Sequence, residues 1–199
     1  DGLGENMAIV TATEVTLYTD ISASAGTITS SGLIPIVQAR INTITNNYFL
    51  SGMYQAGLFV FNATAATIVS QNSFETDGFL AADEIYVMHS YRNDGYKTIG
   101  SVTTTTITLA SGSSVVAELS GKSIIITVVD WPDEIKYIAA QMVKYDYDDR
   151  PAKSVGVNAE SLGPYSVTYG STNGGLNTPF GYPAELIESL APYTIARLR

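Results

Sequence analysis

The apolar positions of this chain change their period twice. Leu33, Val37, Ile41 and Ile44 fall at i, i+4, i+8 and i+11, one stripe of an α-helix. Pro35 sits in its first turn, where a missing N–H costs nothing, and Asn46-Asn47 end it. Tyr48, Phe49 and Leu50 are placed to fold back onto its apolar face. Upstream, Thr11-Ala12-Thr13-Glu14 has the spacing of a capping box and predicts a short helix through Val15, Leu17 and Tyr18. Ser22 to Gly32, rich in Ser, Thr, Gly and Ala, reads as a loop.

From about Met53 to Val129 the helical period is gone, and β-branched residues, aromatics and turn residues take over. Strand pieces are expected at Leu58–Phe61, Ala66–Val69, Asp83–His89, Tyr96 toward Val102, Thr104–Leu109 and Ser123–Val129, with Asn93-Asp94-Gly95 as a tight hairpin signal. Five or six short strands between turns suggest a small antiparallel barrel or sandwich.

The helical period then returns. Pro132 opens a helix with Asp133 and Glu134 at the positive end of its dipole and Ile135, Ile138, Ala139, Met142 and Val143 as its apolar face. Tyr145 and Tyr147 lie near its end, and Pro151 stops it. Residues 152 to 181 are rich in Ser, Gly and Asn, with Tyr165, Val167 and Tyr169 alternating as a possible short strand. Pro183 starts a last helix carrying Leu186, Ile187 and Leu190, which Pro192 kinks or ends. Each helical part is too short to bury a core alone. The fold class expected is therefore α+β: a small helical bundle of about four helices from both chain ends (residues 1–52 and 130–199), with an inserted antiparallel β barrel or sandwich at 53–129. Met7-Ala8-Ile9-Val10 reads as a natural start, with residues 1–6 a vector remnant or an upstream extension.

Composition narrows the function classes. Of 199 residues, 45% are hydrophobic and only 15% charged, so Thr, Ser, Asn and Tyr must cover much of the exterior. Such a skin suits faces buried in an assembly, and equally an extracellular β protein. The formal net charge of −9, with ten scattered bases, argues against a grip on nucleic acid. An acidic channel lining would instead repel a duplex and let it slide. No cysteine is present, which removes disulfides, thiolate zinc sites and thiol nucleophiles. No apolar run approaches the roughly 18 residues of a membrane span.

Candidate chemistry is sparse. Asp146, Asp148, Asp149 and Asp77 are possible metal carboxylates, but Asp146-Tyr147-Asp148-Asp149 lacks the Gly and terminal Glu of an EF-hand loop. A solvated or interfacial acidic turn is the better reading. His89 is the single histidine, so a Ser–His–acid triad has one conceivable base, with no Gly-x-Ser-x-Gly elbow beside it. A structural role is expected for it. No Gly-x-x-x-x-Gly-Lys phosphate loop exists. Thirteen tyrosines, among them Tyr86, Tyr91 and Tyr96 around the expected hairpin tip, suit a protein interface better than a carbohydrate or peptide platform. The chain is read as a non-enzyme without cofactors.

Three stretches carry a family likeness: Trp131-Pro132-Asp133-Glu134-Ile135 and its helix to Tyr147, then Glu160-Ser161-Leu162-Gly163-Pro164-Tyr165-Ser166-Val167-Thr168-Tyr169, then Tyr182-Pro183-Ala184-Glu185-Leu186 closing in Leu190-Ala191-Pro192-Tyr193 with arginines. This order resembles the head–tail connector (adaptor) proteins of tailed bacteriophages. Ala12-Thr13-Glu14-Val15 and the helix from Leu33 to Ile44, closing in Tyr48-Phe49, look like that family's opening helices. The stretch from Phe79 to Val102 looks like a small β module of phage structural proteins, although compact family members lack so large an insertion.

The resemblance implies a structural virion protein in the neck between capsid and tail, made in the host cytoplasm. Copies would form a ring, twelvefold in the family, beneath the portal protein. The ring would extend the DNA channel and receive the next neck or tail protein, a stopper or tail terminator. It implies no membrane and no sequence-specific nucleic acid as partner. The portal-docking segment maps to Leu190, Pro192, Tyr193, Arg197 and Arg199, on a kinked terminal helix expected to leave a short free tail. The alternatives are another neck, tail-completion or stopper protein, and a carbohydrate-binding or hydrolytic virion module using Asp77 or Asp83.

Overall fold

The structure is a computed structural model that describes residues 9–119, 121, 123–150, 159–162, 165–168 and 178–196. The chain is α+β and divides into two units, one comprising Tyr48–Trp131 and the other Ile9–Asn47 with Pro132 onward.

Helix α1 (Ala12–Tyr18) begins as its sequence dictates. The Thr11 hydroxyl accepts the Glu14 N–H at 3.1 Å, and the Glu14 carboxylate accepts the Thr11 N–H at 2.7 Å. The stretch expected as a loop contains a second helix, α2 (Ala25–Ser31), capped by Ser24. Its Thr29, Ser30 and Ser31 hydroxyls donate back to carbonyls one turn earlier, so side chains typical of loops are absorbed by the helix itself. Gly32, left-handed at φ 67°, ends α2 and starts α3 (Leu33–Thr45).

The buried stripe of α3 is Ile34, Val37, Gln38, Ile41 and Thr45, turned slightly from the expected one, with Leu33 and Ile44 half-buried at its margins. Gln38 belongs inside because its side-chain oxygen accepts the buried Ile9 N–H. Helix α4 (Asp133–Lys144) follows Pro132, and Ile135, Ile138, Ala139, Met142 and Val143 are all buried. Two strands, β7 (Ala159–Leu162) and β8 (Tyr165–Thr168), pair antiparallel, Leu162 opposite Tyr165. Tyr169 lies outside the described residues. The last helix, α5 (Ala184–Ser189), is capped by Pro183 and followed by a 3-10 turn, Ala191–Tyr193.

The β unit consists of β1 (Leu50–Asn62), β2 (Thr67–Ser70), β3 (Glu84–Met88), β4 (Gly95–Val102), β5 (Thr106–Leu109) and β6 (Ser123–Val129). All pairings are antiparallel, and they close on themselves in the order β1-β2-β5-β4-β3-β6 and back to β1. Strand β1 is far longer than its apolar core Leu58–Phe61, because its first half pairs with β6 through Tyr54 to Leu58. Inward residues follow the alternation: Phe59, Phe61, Ile68, Ile85, Val87, Ile99, Ile107, Ile124 and Ile126 form one buried cluster with Phe74 and Phe79.

One expectation fails here. The Asn93-Asp94-Gly95 signal does not make a two-residue turn. The connection from β3 to β4 runs from His89 to Asp94, and Asn93 is buried, bonding both the N–H and the C=O of Val116. The Glu118 carboxylate holds the same loop by accepting the Tyr91 and Arg92 N–H groups and the Asn93 amide. Phe49 packs on Trp131 with ring centroids 4.8 Å apart, while Asp130 N–H donates to Phe49 C=O at 2.8 Å. The ring ladder continues through Tyr96, Tyr86 and Tyr48, and the Trp131 indole donates to buried Glu84 at 2.6 Å. Entry to and exit from the β unit are thus bound side by side.

Replacing Thr11 by Ala removes one arm of the capping box. It is expected to lower stability by about 1 kcal/mol, read as a lower midpoint in urea unfolding with an unchanged slope.

Candidate functional site

The segment expected to dock lies at the end of the helical unit. Leu190 is fully buried, so it anchors α5 and presents nothing to a partner. Pro192 is exposed in the 3-10 turn. Tyr193 is half-buried, its hydroxyl donating to Glu134 at 2.6 Å, a bond that raises its pKa. Arg197 and Arg199 lie outside the described residues. The tail is not free as far as Ile195, which corrects the expectation from the Pro192 kink. Ile195 N–H donates to Thr45 C=O at 2.8 Å, Asn46 donates to Ile195 C=O, and Asn47 donates to Tyr193 C=O. The physical reason is the left-handed Asn46 that ends α3, which leaves carbonyls and side-chain amides of its last turn available to a passing strand of backbone.

The helical unit also holds a charge cluster, at the acids expected to form a solvated or interfacial turn. Helix α4 does not stop at Tyr145. It runs on as one π turn, Tyr145–Asp149, closed by Arg150 N–H to Tyr145 C=O. The wider turn leaves Asp146 buried, its side chain only 4% exposed. Both carboxylate oxygens are used. Arg150 Nε donates to Oδ1 at 2.6 Å, while Arg40 Nη1 and the Tyr182 hydroxyl both donate to Oδ2, the latter at 2.7 Å. Arg40 also donates to the Tyr182 oxygen at 2.6 Å, and Arg150 to Phe180 C=O at 3.0 Å. The guanidiniums lie over aromatic rings, Arg40 5.5 Å from the Tyr182 centroid and Arg150 5.3 Å from that of Tyr145.

Burial, and then the hydrogen bond to Asp146, push the Tyr182 phenol up to about 12. Burial works against the charge on Arg40, but Tyr182 and Asp146 more than reverse it and the pKa rises. Two cations share one anion here, and Arg150 Nη2 is buried with no acceptor among the described residues. With three donors on its two oxygens, the Asp146 carboxylate is fully occupied by side chains of its own unit. The arrangement is a clamp that ties residues 180–182 to α3 and the end of α4.

Of the other singled-out acids, Asp148, Asp77 and Asp83 are also occupied, and Asp149 is half-buried in the π turn. Asp148 accepts the Ser22 hydroxyl and N–H and pairs with Lys144 at 3.7 Å, and the Ser22 bond chiefly lowers its pKa. Asp77, in the β unit, accepts from Gln55 at 2.8 Å. Asp83 accepts the Leu80 N–H, although burial raises its pKa. Among the described residues no three acids or histidines gather as a metal would require. His89 is exposed just past β3, left-handed at φ 67°, in a loop and not a strand. Tyr86 and Tyr96 face each other across β3 and β4, and Tyr91 alone of the three stands in the loop, exposed. No helix among the described residues is long and apolar enough to cross a membrane.

Sequence reading missed Arg40 and Tyr182 as partners of Asp146. A signal existed: Arg40 is the only base between Ile9 and Asn47, and it follows buried Val37 and Gln38 on α3. No family model matches the chain, and no curated protein matches it.

Removing the Asp146 carboxylate strands two guanidiniums. Their side chains are 26% and 38% exposed, so solvent softens the loss. Asp146→Ala is expected to cost about 2 to 3 kcal/mol in denaturant unfolding. Tyr182 adds a pH signature. Its folded pKa stands above the ordinary 10.0, so its contribution is intact below that value and is lost as pH rises toward about 12. Tyr182→Phe should flatten the alkaline fall in stability and remove a late step from the tyrosine absorbance titration, which Asp146→Ala should move earlier.

Proposed function

We propose that this chain is a head–tail adaptor of a tailed bacteriophage: a small helical bundle carrying an inserted β barrel, assembled as a ring beneath the portal protein. The observation that carries the reading is the order of motifs on the helical unit. The capped first helix, the long α3, α4 after Pro132 and the Leu190-Ala191-Pro192-Tyr193 close all fall in one unit made from both chain ends. The site supports docking more than chemistry, since Asp146 is engaged by Arg40, Arg150 and Tyr182 and, among the described residues, no three acids or histidines gather. In this reading Leu190 anchors the segment from inside. Pro192, Tyr193, Arg197 and Arg199 meet the portal, the arginines pairing with acidic or carbonyl acceptors. An acidic ring would pass DNA without holding it.

A second reading, a stopper or tail-completion protein, is favoured by one observation. Residues 193–195 are already bonded to the end of α3 and would have to let go before any insertion into a portal groove. Such a protein would bind the adaptor instead of the portal.

Mass photometry of the chain mixed with the portal ring of the same genome tests the choice. A portal mass raised by roughly a dozen copies of the 21.2 kDa chain is the expected result. The double variant Arg197→Ala, Arg199→Ala should lose that shift while keeping its circular dichroism spectrum, and a wild-type chain that leaves the portal mass unchanged overturns the adaptor reading.

A further inference from the structure

The outer face of the β unit carries an apolar strip that its fold does not use. Along β1 the inward residues are Gln55, Gly57, Phe59 and Phe61, so Tyr54, Ala56, Leu58 and Val60 point outward. The register extends this row sideways. Val60 stands opposite Val69 on β2, Ala56 opposite Ile125 on β6, and Tyr54 opposite Thr127. Tyr54 is 60% exposed and Leu58 47%. Leu119 is 83% exposed and follows Glu118, which bridges to Phe61 at the far end of the same strand. The strands β1, β2 and β6 contain no ionisable residue other than Tyr54. A closed sheet needs no apolar outer face for its own stability, and exposed strips of this kind mark interaction sites.

Charge decides what fits. Between Tyr48 and Trp131 the sequence has seven acids, Glu75, Asp77, Asp83, Glu84, Asp94, Glu118 and Asp130, and three bases, a formal −4. Glu84 sits under Trp131, and the other six lie in the connections and not on the strip. A basic partner would choose that acidic rim and gain nothing from the strip. An anionic lipid surface would be repelled by the rim, and Lys122, which precedes β6 in the sequence, is a single lysine and not the basic cluster that such a surface needs. A second copy has the opposite problem. Two chains of charge −9 repel wherever their rims meet, and they can come together only through a face without charge. The strip is such a face, apolar, with a tyrosine at one end and no charge to desolvate, which is the composition of an interface centre.

We propose that the Tyr54–Leu58–Val60 strip, with Val69, Ile125 and Leu119, is the surface through which this chain contacts a second copy of itself. The self-contact rests on the ring reading only for its place in an assembly; a stopper ring would use it equally.

Analytical ultracentrifugation of the full chain over a concentration series tests it. The wild type should show a weight-average mass rising above the 21.2 kDa single chain. Leu58→Glu, which sets a like charge against the partner, should weaken association at least about tenfold, with an unchanged far-ultraviolet spectrum. Tyr54→Ser and Leu119→Ser provide the same reading should Leu58→Glu fail to fold, because both residues are mostly exposed and cost the monomer little. A wild-type mass that stays at one chain throughout, or folded variants that associate as the wild type does, overturns the proposal. Portal mixing separates the two readings. Self-association without portal binding keeps this surface and removes the adaptor, whereas portal binding by a chain that shows no self-association does the reverse.

Discussion

The pairing of β1 with β6 is the contact on which the architecture depends. Parallel neighbours would leave the first and last strands of the β unit at opposite ends, but an antiparallel pair sets the start of one beside the end of the other. Leu50 is opposite Val129, and Asp130 N–H bonds Phe49 C=O, so the chain leaves the unit where it entered. The aromatic ladder Phe49–Trp131–Tyr96–Tyr86–Tyr48 and the Trp131 bond to Glu84 then hold that closure from outside the sheet. With Tyr48 and Trp131 brought together, the segments before and after can share one core. Ile34, Val37 and Ile41 from one side and Ile138, Met142 and Val143 from the other are all buried. An eighty-residue insertion is tolerated because its two ends cost the host little loop-closure entropy.

A second constraint fixes the far end of the helical unit. The π turn after Lys144 places an aspartate in the interior, which would be costly alone. Arg40, Arg150 and Tyr182 supply enough donors to fill the carboxylate. Phe180 at φ 59° and Gly181 at φ 71° bend the backbone so that Tyr182 can reach inward, and a Cβ on Gly181 would lie 3.5 Å from Arg150 Nη1. The cluster substitutes for an apolar contact just before α5, and its directionality sets where α5 begins. Leu190, three residues past the middle of α5, then buries the helix.

Period was the legible part of this chain. Alternation marked the strands and a heptad-like stripe marked α4, because in both cases a single face is buried and nothing polar competes for it. Where a polar side chain took an interior position the pattern shifted, as Gln38 and Thr45 did on α3. Composition misled where local hydrogen bonds overrode it, as in α2, where serines and threonines cap and back-bond the helix they were read as breaking. Asn93 was read as a turn residue by its neighbours, yet its amide is consumed by Val116, 23 residues away. The Asp146 clamp was illegible for the same reason. Arg150 is an i, i+4 neighbour, but Arg40 and Tyr182 lie 106 and 36 residues off in sequence, and no local rule connects them to Asp146.

The disposition of charge follows from these contacts. The chain has ten bases. Arg40 and Arg150 are taken by Asp146, Lys144 by Asp20 and Asp148, and Lys136 by Asp133. Lys97 is half-buried, and burial lowers its pKa against the pull of Asp94. Four of the ten bases are thus paired within the fold, while acids such as Glu75, Asp94 and Glu188 remain toward solvent. An acidic surface disfavours a phosphate backbone, and it makes any outward-reaching arginine conspicuous in the field around it.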